Sequence, residues 1–413
     1  MAVNKSDNME WFGIIPDEWD ITRIGDLYTY RNEKVDDRDF IPLSVTMQGI
    51  LPQLETAAKS DAHDNRKLVR KGDFAINSRS DRRGSCGISP CDGSVSLINT
   101  VLAPRNDMNP RYYDWLFHSV QFADEFYKWG HGIVDDLWTT RWQEMKRILI
   151  PVPSLKEQHA IADYLDERCA KIDAIIDESK KSIEEYKELK QATIHSAVIY
   201  GISDTCNKQD SGIEWMGSVP ASWKRHTLLR TISFSGGSQP PASTFIDHPE
   251  KGYVRLIQNR DYRTDAYPTY VPKKLVTKFC DEKDVMIGRY GPPLFVIHRG
   301  LKGAYNVALM KAIPILLERE FMYYFLQDPT LLNFIESFSK RTAGQSGVNT
   351  ETLRRYPIFI PSKDEQNDIA SYLDRRLTQI NFLITEKQSL VADLEAYKKS
   401  LIYELVTGKR RVV

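Results

Sequence analysis

Pro153-Ser154-Leu155-Lys156-Glu157-Gln158-His159-Ala160-Ile161-Ala162-Asp163-Tyr164-Leu165-Asp166-Glu167-Arg168 returns 208 residues later as Pro361-Ser362-Lys363-Asp364-Glu365-Gln366-Asn367-Asp368-Ile369-Ala370-Ser371-Tyr372-Leu373-Asp374-Arg375-Arg376. Pro-Ser, Glu-Gln, Ile-Ala, Tyr-Leu-Asp and Arg coincide in one register, and Ile172 matches Ile380 just beyond. A second pair lies upstream of each copy: Glu10-Trp11-Phe12-Gly13-Ile14-Ile15-Pro16-Asp17-Glu18-Trp19 and Glu214-Trp215-Met216-Gly217-Ser218-Val219-Pro220-Ala221-Ser222-Trp223 share the pattern E-W-x-G-x-[IV]-P-x-x-W. A period near 200 residues is far too long for a solenoid, so the repeated unit is a whole domain plus its connector. The duplication predicts a pseudo-two-fold molecule.

Each connector has the pattern of a long helix. Ile161, Leu165, Ile172, Ile176, Ile183, Tyr186, Leu189 and Ile194 recur at spacings near three and four, and no Gly or Pro interrupts residues 154–200. The second stripe is Ile369, Leu373, Leu377, Ile380, Ile384, Val391, Leu394, Leu401 and Leu405, stopped at Gly408. Ser154-x-x-Glu157 and Ser362-x-x-Glu365 are capping boxes that follow a proline. About 45 residues make a rod of roughly 65 Å whose apolar stripe needs a partner, and its duplicate supplies one. The two helices are expected to pair as an antiparallel coiled coil.

The intervening stretches are rich in Gly, Pro, Tyr and short β-favouring runs: Phe40 to Leu43, Val95 to Leu102, Tyr253 to Ile257, Val285 to Ile287, Leu294 to Ile297 and Ile313 to Leu317. The expected fold class is therefore α+β, with two globular domains joined by two long helices. The layout is a leading segment 1–20, a first domain 21–153, a central helix 154–200, a linker and second leading segment 201–223, a second domain 224–360, a C-terminal helix 361–408 and a tail 409–413. The tryptophan pairs Trp11/Trp19 and Trp215/Trp223 are expected to pack each leading segment against the helices.

With 413 residues, 41% hydrophobic and 27% charged, and a mean hydropathy of −0.44, the chain has the balance of a globular protein of several domains. No apolar run approaches the roughly 18 residues of a membrane span, and residues 1–11 lack a secretory signal, so a cytoplasmic location is expected. Five cysteines without a C-x-x-C spacing indicate neither a disulfide framework nor a zinc site. The net charge is zero, but residues 224–357 hold 20 Lys+Arg against 12 Asp+Glu, a net of +8, whereas residues 154–200 hold 7 against 10. The second domain is thus suited to phosphate and the central helix to a protein surface.

Catalytic patterns are missing. No phosphate loop, H-E-x-x-H or dinucleotide fingerprint occurs. Gly291-Pro292-Pro293-Leu294 lacks the side chains of an adenine-methyltransferase signature and reads as a turn. Glu185-Tyr186-Lys187 reads as helix-surface charge, and His63, His118, His131, His226 and His248 are scattered. No catalytic residue, metal or cofactor is expected.

The remaining pattern suits DNA. Asn77-Ser78-Arg79-Ser80-Asp81-Arg82-Arg83-Gly84-Ser85 concentrates arginines and small polar residues in one loop, with Asn77, Arg79, Ser80, Arg82 and Arg83 as candidate contacts. Arg bridges guanine O6/N7 or grips phosphate, and Asn pairs with adenine N6/N7. In the second domain the candidates are Gln258, Asn259, Arg289 and Tyr290, together with Lys340, Arg341 and Gln345 of the basic run Ser339 to Gly347.

The repeated E-W-x-G-x-[IV]-P-x-x-W, the run Ile150 to Gln158 with its copy Ile360 to Gln366, and the ending Val406-Thr407-Gly408-Lys409 resemble the specificity subunit of type I restriction-modification systems over essentially the whole chain. The run Ile41 to Ile50 is similar to one found in many target-recognition domains of that family, which adds Thr46 and Gln48 to the candidates. The resemblance implies two recognition domains, each reading half of a bipartite site in double-stranded DNA, held apart by the helices. It also implies partners: two methyltransferase subunits docked on those helices, with Glu157, Gln158, Tyr164, Arg168 and their copies Glu365, Gln366, Tyr372, Arg376 as candidate contacts, and restriction subunits in the full complex. The first connector departs from the pattern at Val198-Ile199-Tyr200-Gly201, where Thr-Gly-Lys is lacking. The alternative from another class is a stand-alone DNA-binding or scaffold protein without methylation partners, and an enzyme in its own right would need a motif that the sequence does not show.

Overall fold

The computed structural model describes residues 11–53, 65–79, 83–105, 108–132, 138–203, 205–290, 293–339 and 350–412. The chain packs into two compact units, one made of residues up to Lys180 together with those from Gln388 on, the other of Lys181–Lys387. The cut falls inside both long helices, so each unit owns half of each.

The helices are Leu155–Tyr200 and Lys363–Val406, within two residues of the expected bounds. The first starts on its capping box: the Glu157 carboxylate accepts from the Ser154 N–H at 3.2 Å and the Ser154 hydroxyl at 2.8 Å. Both stop at a glycine in the left-handed region, Gly201 at φ +78° and Gly408 at φ +71°. Gly201 therefore does the work of Gly408 although the residues around it differ.

In the first unit, the Lys398 ammonium reaches both carboxylate oxygens of Asp173 at 2.6 Å, and Lys180 pairs with Glu395 at 3.2 Å. Advancing along one helix while retreating along the other is an antiparallel pairing. The second unit repeats it, with Lys190 bonded to Asn381 at 3.0 Å. Its Gly201 lies beside Glu365. The predicted stripes form the seams: Ile161, Leu165, Cys169, Ile172 and Ile176 join Leu401, Leu405 and Val406 in one core, and Ile194, Ala197 and Val198 join Ile369, Leu373, Leu377 and Ile380 in the other.

The globular part of each unit opens and closes on a two-stranded antiparallel ladder, Asp20–Arg23 with Leu149–Val152 and Lys224–Thr227 with Pro357–Ile360. Each then builds a four-stranded antiparallel sheet in the same order. In the first unit that order is Tyr28–Arg31, Asn99–Pro104, Phe74–Asn77, Cys86–Ile88; in the second it is Ile232–Gly236, Leu309–Pro314, Val285–Gly288, Ile297–His298. Helices Pro110–His118 and Val120–Lys128 bury Tyr112, Tyr113, Phe117 and Phe122 in the first core, and Arg319–Phe325 buries Phe321 and Phe325 in the second. Beyond this shared frame the units diverge. The first adds a three-stranded sheet and the hairpin Leu43–Thr46/Gly49–Pro52, the second a sheet in which Tyr253–Ile257 and Gly303–Tyr305 run parallel.

Two expectations need correction. The strand expected at Leu294 to Ile297 is only Ile297–His298, because buried Phe295 takes φ +59° and turns the chain. Trp11, Trp19 and Trp223 are buried as expected, but Trp215 is 45% exposed, tilted against Tyr356 at 5.8 Å.

Candidate nucleic-acid interface

The two shared sheets carry the candidates at one hairpin. Strand pairing aligns Asn77 with Asn99 and Ile76 with Cys86 in the first unit, Gly288 with Leu309 and Ile287 with Ile297 in the second. Residues 78–85 and 289–296 are therefore topologically equivalent connections of equal length. Arg79 and Tyr290 occupy matching positions. Sequence comparison misses this, since the two loops share no residues in register.

In the first unit the hairpin is rigid at its base. The Ser78 and Thr100 hydroxyls bond at 3.0 Å, the Thr140 N–H donates to the Ser78 carbonyl at 3.0 Å, and the Arg79 N–H donates to the Asn77 side-chain oxygen at 3.0 Å. Asn77 is itself buried, so its amide shapes the loop and is not offered to a base. That corrects its assignment as a contact. Arg79 is exposed, while the Arg83 guanidinium lies 3.5 Å over the Tyr127 ring and 3.5 Å from Asp124. Ser80 and Arg82 lie outside the described residues. The turn Thr46–Gly49 packs against this base, because Gly87 has no side chain: a Cβ there would stand 2.8 Å from the Gly49 Cα. The Thr46 hydroxyl is spent on the turn, donating to the Gly49 carbonyl at 2.9 Å, and Met47 and Gln48 are the exposed residues at its tip. Below the loop, burial pushes the Cys86 thiol up from its ordinary value, which keeps it unreactive.

In the second unit Gln258 and Asn259 follow the strand Tyr253–Ile257, Asn259 opening the 3-10 turn Asn259–Tyr262. The Gln258 amide is tied back to the Thr269 hydroxyl at 3.0 Å. Asn259 lies over Gly288, immediately beside Arg289 and Tyr290; a Cβ at Gly288 would stand 3.0 Å from the Asn259 Oδ1. The Arg289 Nη1 donates to the Val307 carbonyl at 3.4 Å, and Tyr290 is exposed. Lys340, Arg341 and Gln345 lie outside the described residues, as does the dipeptide Gly291-Pro292. Among the described residues no group of three or more His, Cys, Asp or Glu is placed to hold a metal ion, and no helix is long and apolar enough to cross a membrane.

The repeated helix starts turn inward. Glu157 accepts from the Trp19 indole at 3.2 Å, and Glu365 from the Trp223 indole at 3.0 Å. Gln158 is buried, accepting from the Asn109 N–H at 2.9 Å and donating to the Pro153 carbonyl at 2.9 Å. Gln366 repeats this with the Glu318 N–H at 2.6 Å and the Pro361 carbonyl at 3.1 Å. Buried amides with both ends satisfied are not available to a partner, so Gln158 and Gln366 are corrected from docking contacts to clamps between each helix and its own unit. Glu157 and Glu365 serve the same joint. Arg168 and Arg376 are exposed, with Tyr164 and Tyr372 half-buried beside them.

Two domains on one repeated frame, each carrying a different hairpin at the same place, define a class of internally duplicated two-domain proteins. The sequence pattern described as "Type I restriction modification DNA specificity domain" matches residues 16–185 and 235–391. The chain belongs to that family, as a specificity subunit of a type I restriction-modification system. The type I restriction enzyme MjaVIII specificity subunit of Methanocaldococcus jannaschii is 23% identical over 449 residues, covering 100% of this chain and 98% of that protein. The EcoKI specificity subunit of Escherichia coli is 20% identical over 288 residues, covering 63% of this chain and 58% of its own. The fold matches a chain from a structure described as the basis of complex assembly and conformational transition of the type I R-M system, with TM-score 0.73 at 16% identity, covering 96% of this chain and 100% of that one. It also matches the HsdS subunit of Thermoanaerobacter tengcongensis, with TM-score 0.52 at 18% identity, covering 96% and 98%.

Proposed function

We propose that the two domains read the two halves of a bipartite site in double-stranded DNA, and that the paired helices set the spacer and dock methyltransferase subunits, with restriction subunits joining the full complex. The observation that carries this reading is the pair of equivalent hairpins: loops of equal length on equivalent sheets of the two units, with different side chains. A conserved frame with variable tips suits a protein whose two readers answer to different sequences. The net charge of +8 over residues 224–357 gives the second reader a footing on phosphate. Arg168, Arg376 and the tyrosines beside them are the repeated helix residues left for a partner. The chain supplies recognition, and methyl transfer and cleavage belong to its partners.

The test is to replace residues 224–357 with another recognition domain and sequence the methylome of cells carrying the complex. One half of the methylated site changes and the other stays. A change in both halves, or methyl transfer from S-adenosylmethionine by the isolated chain, would overturn the reading.

A further inference from the structure

The position where Gly87 admits the Thr46–Gly49 turn in the first unit is occupied in the second by His298: Ala75 pairs with Gly87, and its counterpart Met286 pairs with His298. The position of buried Asn77 is likewise taken by Gly288. The second unit thus removes an amide from the central strand and brings another, Asn259, beside Gly288 from the 3-10 turn Asn259–Tyr262 that follows the strand Tyr253–Ile257.

That amide is fixed. The His298 Nε2 stands 2.7 Å from the Asn259 Oδ1, and the imidazole is stacked on Tyr262 with ring centroids 4.3 Å apart and planes 7° apart. On its other side the amide lies on the backbone of Gly288. Burial, aided by the charge of Arg263, pushes the His298 pKa down to about 4, so the ring is neutral at physiological pH and meets an acceptor oxygen as an N–H donor. One lone pair of Oδ1 is engaged, and the amide's NH2 has no partner among the described residues. A free amide N–H meets an acceptor on a base edge, guanine O6 or N7, thymine O4 or adenine N7, whereas cytosine offers only its amino donor in the major groove.

Resting on the reading of this domain as a DNA reader, we propose that Asn259 is a specificity-determining donor that selects a base offering a major-groove acceptor and rejects cytosine, whose edge there offers only a donor, and that His298 is the positioning residue that fixes this choice. Arg289, one residue past Gly288, stands beside it for a neighbouring acceptor.

The experiment selects binding sites from a randomised DNA library with the assembled methyltransferase complex, comparing wild type, Asn259→Asp, His298→Phe and His298→Gln. In the wild type, one position of the half-site assigned to the second domain rejects cytosine. Asn259→Asp, which turns the donor into an acceptor, moves that position toward cytosine, whose amino group donates. His298→Phe keeps the stack on Tyr262 but loses the hydrogen bond, and weakens the preference at that position about threefold to tenfold. His298→Gln restores the donor and most of the preference, which a merely structural role would not require. The other half-site is unchanged in every variant. An unaltered profile for Asn259→Asp, or a wild-type preference for cytosine there, overturns the proposal. A wild type whose site does not divide between the domains overturns the underlying reading instead.

Discussion

Gly408 shows how much one missing side chain can hold. Its φ of +71° stops the C-terminal helix, and a Cβ there would stand 2.4 Å from the Pro16 ring and 3.2 Å from Trp19. Gly201 sits more loosely against the matching pair, a Cβ there standing 3.3 Å from Trp223 and 3.8 Å from Pro220, so the P-x-x-W of each leading segment faces a helix end. Gly408→Ala adds a clash to the cost of a left-handed alanine and is expected to destabilise the first unit by about 2 to 4 kcal/mol. Gly72→Ala, at φ +88° with open space around it, serves as control at about 1 kcal/mol. Six of the eight tryptophans lie in the first unit, so urea titration followed by their fluorescence reads the difference. Arg79 is tested by a different measurement, since it is exposed at the base of the hairpin. As a base contact, Arg79→Ala lowers affinity for the cognate site by about 1 to 3 kcal/mol and leaves random DNA nearly unaffected; equal losses on both would make it a phosphate contact.

The helices draw their strength from the seam and little from the charges along it. Leu401 is 1% exposed within the first core, whereas Lys398 and Asp173 keep 25% and 50% of their side-chain surface in water. Leu401→Ala is therefore expected to cost about 2 to 5 kcal/mol and Lys398→Ala less than about 1 kcal/mol, both measured by the same urea titration. The stripes, caps and stops of these helices were legible because a 3.6-residue period over 40 residues can be satisfied in only one way. The strands were less so: Val95 to Leu102 is two strands, Gly93–Ser96 and Asn99–Pro104, broken by a turn within one apolar run. The interface was legible in composition but not in roles. Asn77, Gln158 and Gln366 carry the right chemistry for contacts, and only burial shows that they spend it inside. His298 gave no signal at all, because what matters is the strand beside it, not its neighbours in sequence.

At the scale of the molecule, the proposed spacer function makes rod length the variable to change. The Lys190–Asn381 contact places Glu184 opposite Lys387, six residues along each helix. Four residues inserted after each of these lengthen the pair by roughly 6 Å, or one to two base pairs at about 3.4 Å each. Methylome sequencing should find both half-sites unchanged and the gap between them wider; an unchanged gap would show that the partners, not the helices, set it. The division of the chain has a further consequence for how it is made. The second unit is one continuous stretch, Lys181–Lys387, while the first is completed only by residues from Gln388 on, where the Val406 carbonyl receives the Tyr112 hydroxyl and Leu401 and Leu405 close the core. At a ribosomal pace of about 5 to 20 residues per second, the earlier-made half waits about 10 to 40 s with its apolar face uncovered. The half synthesised later can finish folding first.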